Sequence, residues 1–464
     1  MIIGILKVKV LAMLLGPTGV GLMGLYQNIL GVASTMAGCG LGNSGVQQLA
    51  ASKENTATLA LVRRALFLAN LLLGLIGMAA LWLIREPVSK WVFGDAARVD
   101  EIGWIGFGVL LSLLAVSQTT LLQGMRRIGD LARVNIISSV IGAIFGVLAI
   151  GWLGMDGVLW FTLTVPAAGV LAAAWYVSRL PGPEGGDDLG ELRKQWQVMF
   201  LMGIPVMAGG LSVLVTLLFA RSLVLQGYGL DATGFYQAAW AVSMAYIGFV
   251  LNAMGMDYFP RLASVKNDRA RANSMANEQT EMALLLAGPI LLAMMTFAPW
   301  VISLLYSESF ASATELLRWQ VMGDIAKIMS WPMGFVALAL GRGGVFFCTQ
   351  LAWNAIYLLI IWLGLPEMGL VSVGVGYLVA YVVLFAVVYG VARQLIGFRA
   401  APGNVGLFAI LMACASGIHA ASAVSFGGSV ILGVTLTMLV GAYCIIRLNK
   451  LMDLAGWLRL KLKI

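Results

Sequence analysis

Leu317 to Gly343 reads LRWQVMGDIAKIMSWPMGFVALALGRG, a long apolar run with charge inside it. Helical steps of 1.5 Å from Arg318 to Arg342 span about 36 Å, enough to cross a hydrocarbon core of about 30 Å. Yet Asp324 and Lys327 lie inside the apolar run. On a helix they would sit roughly 9 and 13 Å below Arg318. A charge near the centre of a membrane helix costs about 2.5–3.5 kcal/mol on insertion scales, so the pair must face protein or water. Their i, i+3 spacing predicts that carboxylate and ammonium meet on one face. Gln320 and Trp331 extend that face, and Pro332 predicts a kink beside it. Two readings follow: a structural ion pair between packed helices, or the polar lining of a solvated internal cavity.

Composition extends the membrane reading to the whole chain. Sixty per cent of the 464 residues are hydrophobic and 11% are charged, with a mean hydropathy of +0.92. That is the class of polytopic, all-α membrane proteins. Glycine, at 56 residues, is abundant enough for helices to pack closely in lipid. Cys39, Cys348, Cys414 and Cys444 are scattered through apolar stretches without CxxC spacing and read as small packing residues. His419, the single histidine, has no partner constellation. No metal site and no cofactor is expected. The N-terminal apolar run ends at Gly16-Pro17 and leads into another span, which is not the pattern of a cleavable signal.

Hydropathy outlines about fourteen spans. They fall near 1–15, 20–43, 64–84, 102–123, 134–153, 157–178, 196–220, 234–256, 282–306, 316–341, 344–364, 369–392, 404–423 and 428–446. The expected organisation is an N-lobe over 1–180 and a linker over 181–195. A C-lobe over 196–393, two extra spans over 394–447 and a basic amphipathic tail over 448–464 follow. With both termini in the cytoplasm, 21 of the 29 Lys and Arg fall in inner loops and the tail. Only Arg85, Lys90, Arg98, Arg221 and Arg318 fall in outer loops, and the remaining three, Lys7, Lys9 and Lys327, lie within spans. That positive-inside asymmetry fixes the expected orientation. It also explains the net charge of +8 without nucleic acid. The tail either lies along the inner headgroups or is solvated.

Short segments recur. Gly24-Leu-Tyr-Gln27 returns as Gly234-Phe-Tyr-Gln237, and Trp152-Leu-Gly154 as Trp362-Leu-Gly364, both 210 positions later. Gln48 to Lys53 corresponds to Arg261 to Lys266 at 213. Six spans separate the copies, which predicts two parallel-repeat six-helix lobes plus two C-terminal helices, with a site between the lobes near the midplane. The same arithmetic makes the first span short by about four turns and predicts a native start about 14–20 residues before Met1.

Gly19-Val-Gly21-Leu-Met-Gly24 matches GxGxxG, but it follows a membrane run and has no acidic residue about 20 positions on, so a dinucleotide site is excluded. GxxxxGK[ST], HExxH and GxSxG are absent. The largest outer loop, Arg85 to Glu101, carries Glu86, Asp95, Asp100 and Glu101, thin support for a membrane polymerase or ligase. The chain does not read as an enzyme.

Several stretches carry a family resemblance: KVLAMLLGPTGVGL (Lys9–Leu22), DATGFYQ (Asp231–Gln237), DYFPRL (Asp257–Leu262), NEQTEMALLLAGP (Asn277–Pro289) and the opening stretch. Together these resemble the Wzx-type O-antigen translocases. Those form the polysaccharide-transporter branch of the MOP flippase superfamily, related to MATE exporters and the lipid II flippase. The resemblance runs from residue 1 to about Arg399 and departs at the short first span. It implies an inner-membrane flippase that moves an undecaprenyl-diphosphate-linked oligosaccharide between leaflets by alternating access, with the lipid bilayer and a polysaccharide polymerase or chain-length complex as partners.

A diphosphate carries about two negative charges and needs a cationic, wet path through the membrane. Lys9 and Arg221 sit at near-equivalent places before Gly24 and Gly234 and, with Lys327, are the candidate cavity cations. Asp324, Gln27, Gln237 and Asn252, together with Asn28, are candidate polar lining groups, each also able to bond helix to helix. A MATE-like cation-coupled drug exporter is the second reading. It predicts carboxylates outnumbering cations within the spans, whereas Lys7, Lys9 and Lys327 stand against Asp324 alone. A membrane glycan polymerase or ligase is the third.

Overall fold

The computed structural model describes residues 2–52, 55–180 and 189–452, and everything in it that is regular is helical. The helices are α1 (Ile2–Gly38), α2 (Leu41–Ala51), α3 (Thr56–Leu83), α4 (Arg85–Phe93), α5 (Val99–Gly124), α6 (Ile128–Leu153), α7 (Gly157–Val177) and α8 (Leu189–Ser264). They continue as α9 (Arg269–Thr296), α10 (Ala298–Leu305), α11 (Ala313–Ala339), α12 (Gly343–Met368), α13 (Val371–Ile396), α14 (Pro402–Val424) and α15 (Phe426–Met452). Eleven stretches are long and apolar enough to cross a membrane, and one of them, Ile128–Val177, holds both α6 and α7.

Two helical runs are broken by glycine. Gly16 in α1 has φ 63° and ψ −159°, and Gly229 in α8 has φ 80° and ψ −177°. That backbone region is essentially closed to residues with a Cβ. Counting these breaks, the long helices supply fourteen spans among the described residues, matching the hydropathy outline. The short helices α2 and α4 fall outside that outline. Pro332 leaves α11 helical from Ala313 to Ala339, so the expected kink is not a break in the helix.

The repeat is present, in a register that differs from the short sequence matches. Asn55 caps α3 by accepting from Thr58 N, and Asp268 caps α9 by accepting from Arg271 N. Both helices have 28 residues and begin 213 positions apart. Helices α6 and α12 have 26 residues each and end at Gly154 (φ 58°) and Gly369 (φ 59°), so the counterpart of Gly154 is Gly369 and not Gly364. Gly21 and Gly234 correspond in the same way. A Cβ on Gly21 would collide with Leu230 O and Gly234 N, and a Cβ on Gly234 with the carbonyl of Pro17. Thr18 Oγ1 donates to Asp231 Oδ1 across the same 213 positions. The matched GLYQ and GFYQ strings therefore misplace the register by one helical turn.

By contact the chain divides into two compact units. Unit 1 is Met1–Gly234 with Leu305–Ser307, and unit 2 is Phe235–Leu304 with Glu308–Ile464. This differs from the expected lobe boundary at 181–195. The reason is local: the start of α8 packs on α3, where Trp196 Nε1 donates to Ala65 O at 2.9 Å. Leu192 and Met199 of α8 share a buried cluster with Val62, Ala65, Leu122 and Ala173. In unit 2, α11 packs between α9 and α13, and α14 and α15 lie against α9. Residues 181–188 of the linker and 453–464 of the tail lie outside the described residues.

Candidate functional site

Four helices of unit 2 turn polar and aromatic faces toward one another. The second segment of α8 contributes Tyr236, Gln237, Trp240, Ser243 and Met244, and α11 contributes Gln320, Asp324 and Lys327. Trp353, Asn354 and Tyr357 come from α12, and Tyr377 and Tyr381 from α13. Steps of three and four put 236, 240 and 243 on one face of α8 and 320, 324 and 327 on one face of α11. The rings interlock. Trp240 meets Tyr377 at 5.6 Å, Trp353 meets Tyr357 at 5.2 Å and Tyr381 at 5.2 Å, and Tyr377 meets Tyr381 at 4.8 Å. Tyr236 OH and Tyr357 OH share a hydrogen bond of 2.9 Å.

Asp324 is 0% exposed. Its carboxylate accepts from Ser243 Oγ at 2.6 Å and from Tyr377 OH at 2.8 Å. Lys327 goes elsewhere: its Nζ lies 5.4 Å from the centroid of the Tyr381 ring and 3.6 Å from Met244 Sδ. The expected carboxylate–ammonium contact is therefore not made among the described residues. The short aspartate is held by two hydroxyls beside it, while the longer lysine carries its charge past them to an aromatic face. A ring and a thioether are weak partners for an ammonium. Around this pair, Gln320, 0% exposed, has neither amide atom hydrogen-bonded, and both amide atoms of Asn354 and Oε1 of Gln237 are likewise buried without a bond. Each such group costs about 1–3 kcal/mol when left unpaired.

The other candidate cations belong to unit 1. Arg221, 5% exposed, donates from Nη1 to Gly24 O at 3.3 Å. With its amide oxygen turned toward α8, Asn28 accepts from the same Nη1 and donates to Leu214 O at 2.9 Å. Lys9 is half-buried, and the corrected register puts Lys9 opposite Ser222, one residue from Arg221. The two cations thus sit at one height but about 100° apart around their helices. Lys7 is committed to structure, donating to Phe161 O at 3.0 Å and lying 3.8 Å from the centre of that ring. Gln27 and Asn252 are exposed.

The sequence reading found Asp324 and Lys327 but missed the tyrosines and tryptophans around them. Their signal was available: aromatic pairs at i, i+4 recur in three spans, as 236/240, 353/357 and 377/381. His419 packs its ring on Trp319 at 4.6 Å, and all four cysteines are free.

The fold is the one seen in transporters of the MOP superfamily. The inward-facing multidrug MATE transporter of that superfamily superposes with a TM-score of 0.71 at 15% identity, over 85% of this chain and 94% of that one. The lipid II flippase MurJ in its inward closed conformation gives 0.62 at 10% identity, over 92% and 97%. Within that fold the chain belongs to the polysaccharide biosynthesis protein family, whose pattern matches residues 10–315. The Lipid III flippase of Escherichia coli is similar too, 24% identical over 404 residues, which is 84% of this chain and 93% of that protein. The resemblance drawn from the sequence holds for family and fold.

Proposed function

We propose that this protein is a flippase for a lipid-linked oligosaccharide, carrying it from the inner to the outer leaflet of a bacterial inner membrane by alternating access. The observation that carries the reading is Lys327: a cation inside a membrane helix, held by a ring and a thioether and not by a carboxylate. Family membership and the similarity to a Lipid III flippase support it. An anionic phosphate head is held by cations through charge-assisted hydrogen bonds, and Lys327 makes no contact ion pair with Asp324. The buried amides of Gln320 and Asn354 offer donor and acceptor pairs to sugar hydroxyls, and Gln237 offers an acceptor. The polyprenyl tail can stay in lipid throughout.

The finer assignment is an undecaprenyl-diphosphate-linked repeat unit of O-antigen or a related surface polysaccharide. Lys9, Arg221 and Lys327 would meet the diphosphate, Asp324 would hold the local fold, and Gln27, Gln237 and Asn252 would meet sugars. Both termini would face the cytoplasm, and a polymerase or chain-length complex would receive the product. This is transport, not catalysis. The MATE-like exporter is favoured by one observation, the buried carboxylate of Asp324 in an aromatic nest. Proteoliposomes separate the two readings: labelled undecaprenyl-diphosphate oligosaccharide should change leaflet, and a cationic drug should not accumulate. Drug uptake without lipid movement would reverse the assignment.

A further inference from the structure

At one end of unit 1, where α3 begins and α5 and α7 finish, a cavity of about 480 Å³ is lined by Arg63, Arg64, Phe67, Gln118, Val177 and Ser178, with neighbouring small residues. This size is within the range of small-ligand sites. The back wall is α5, with α3 and α7 at the sides. Arg63 and Arg64 lie about 10 Å along α3 from Thr56, the depth at which long cationic side chains reach the headgroup boundary of a bilayer. Arg126, Arg127 and Arg133 crowd the same end, and Arg179 lies 3.5 Å from the Trp175 ring centre beside the cavity. By the positive-inside rule this is the cytoplasmic end.

Three properties describe the occupant. Two guanidiniums on one wall select a phosphate, which they can grip with paired N–H groups. Phe67, Leu121 and Val177 below them suit the start of an acyl chain. Oε1 of Gln118 is buried and not hydrogen-bonded, so it asks for a hydroxyl donor next to the phosphate.

We propose that this cavity binds an anionic phospholipid with a hydroxylated head group, of the phosphatidylglycerol type, from the inner leaflet. Basic pockets between membrane helices on the cytoplasmic side recognise lipid phosphates in this way. The site is separate from the polar nest in unit 2, and its occupancy does not depend on the transport reading.

The test uses the full-length protein in nanodiscs holding one part dioleoyl phosphatidylglycerol to nine of phosphatidylcholine, followed by native mass spectrometry of retained lipid. The wild type should keep phosphatidylglycerol in preference, and Arg63→Gln/Arg64→Gln should lose at least tenfold of that preference. Arg393→Gln, an exposed arginine elsewhere, should lose none. Gln118→Leu leaves both arginines in place and, in discs that hold phosphatidylglycerol and phosphatidic acid in equal amounts, should lower the preference for the former. Matching melting midpoints for all variants show that folding is not the cause. Equal retention by wild type and the double variant would overturn the proposal. Displacement of the retained lipid by equimolar undecaprenyl diphosphate would also overturn it, in favour of a carrier-lipid site. No displacement at that ratio supports a resident phospholipid.

Discussion

Replacing Lys327 by methionine separates a structural lysine from one that meets a ligand. If Lys327 neutralised Asp324, its loss would leave a bare buried carboxylate and cost about 3–5 kcal/mol of stability. The geometry says otherwise, because Asp324 already accepts from Ser243 and Tyr377 at 2.6 and 2.8 Å. What Lys327 gives the fold is a cation–ring contact at 5.4 Å, of about 0.5–2 kcal/mol, and an attraction to Asp324 short of a contact ion pair, while methionine keeps most of the apolar stem. The expected loss is therefore about 1–2 kcal/mol, below that of a broken buried pair. Transport should respond far more. Two unit charges 4 Å apart at an effective dielectric of 20 attract by about 4 kcal/mol, so even partial screening leaves at least a tenfold loss of flipping. Stability would be read from unfolding in mixed micelles, and flipping from labelled lipid-linked oligosaccharide in proteoliposomes. A drop of 3 kcal/mol or more in Lys327→Met, with recovery of both stability and transport in Asp324→Ala/Lys327→Met, would refute the reasoning.

Other outcomes follow from the same structure. Gly234→Ala drives a methyl into the Pro17 carbonyl and should cost about 1–3 kcal/mol. Adding Gly21→Ala should cost less than its own single effect, because both open the same close approach; thermal melts check this. Arg221→Ala leaves the Gly24 carbonyl and Asn28 without their donor and should reduce both stability and flipping, while Arg221→Lys recovers part of the flipping. Tyr377→Phe removes one donor from the buried Asp324 carboxylate and should cost about 1.5–3 kcal/mol in the same unfolding assay. A reporter active only in the periplasm, fused after Ile464, should be silent; a bright signal would reverse the orientation.

Hydrophobic runs report their own length, so all fourteen spans were legible, including the boundary at Gly16-Pro17. The helices α2 and α4 were not, since each is short and mixes polar with apolar residues. The repeat was visible but its register was not. Identical letters at Gly24 and Gly234 outweighed the spacing, whereas the backbone crossing at Gly21 and the matching caps at Asn55 and Asp268 fix the true alignment. At the site, Asp324 and Lys327 stood out because charge in an apolar run is rare. Their partners did not, because Ser243, Tyr377 and Tyr381 come from distant helices, and spacing along α11 says nothing about which neighbour reaches a side chain first. Two adjacent charges looked like a pair for want of that knowledge.

The crossing of Gly21 and Gly234 bears on how such chains drift over evolutionary time. It is built from main-chain atoms: the Leu230 and Pro17 carbonyls approach glycines that offer no side chain. Such a joint places no demand on the size or polarity of the residues around it. Substitutions can accumulate throughout the spans while the helices still meet at the same spot, provided these two positions stay glycine. Tolerance is thus spread over the spans and withheld at a few atoms. It also means that a change at either glycine has no conservative form, since the next smallest residue already carries the carbon that does not fit.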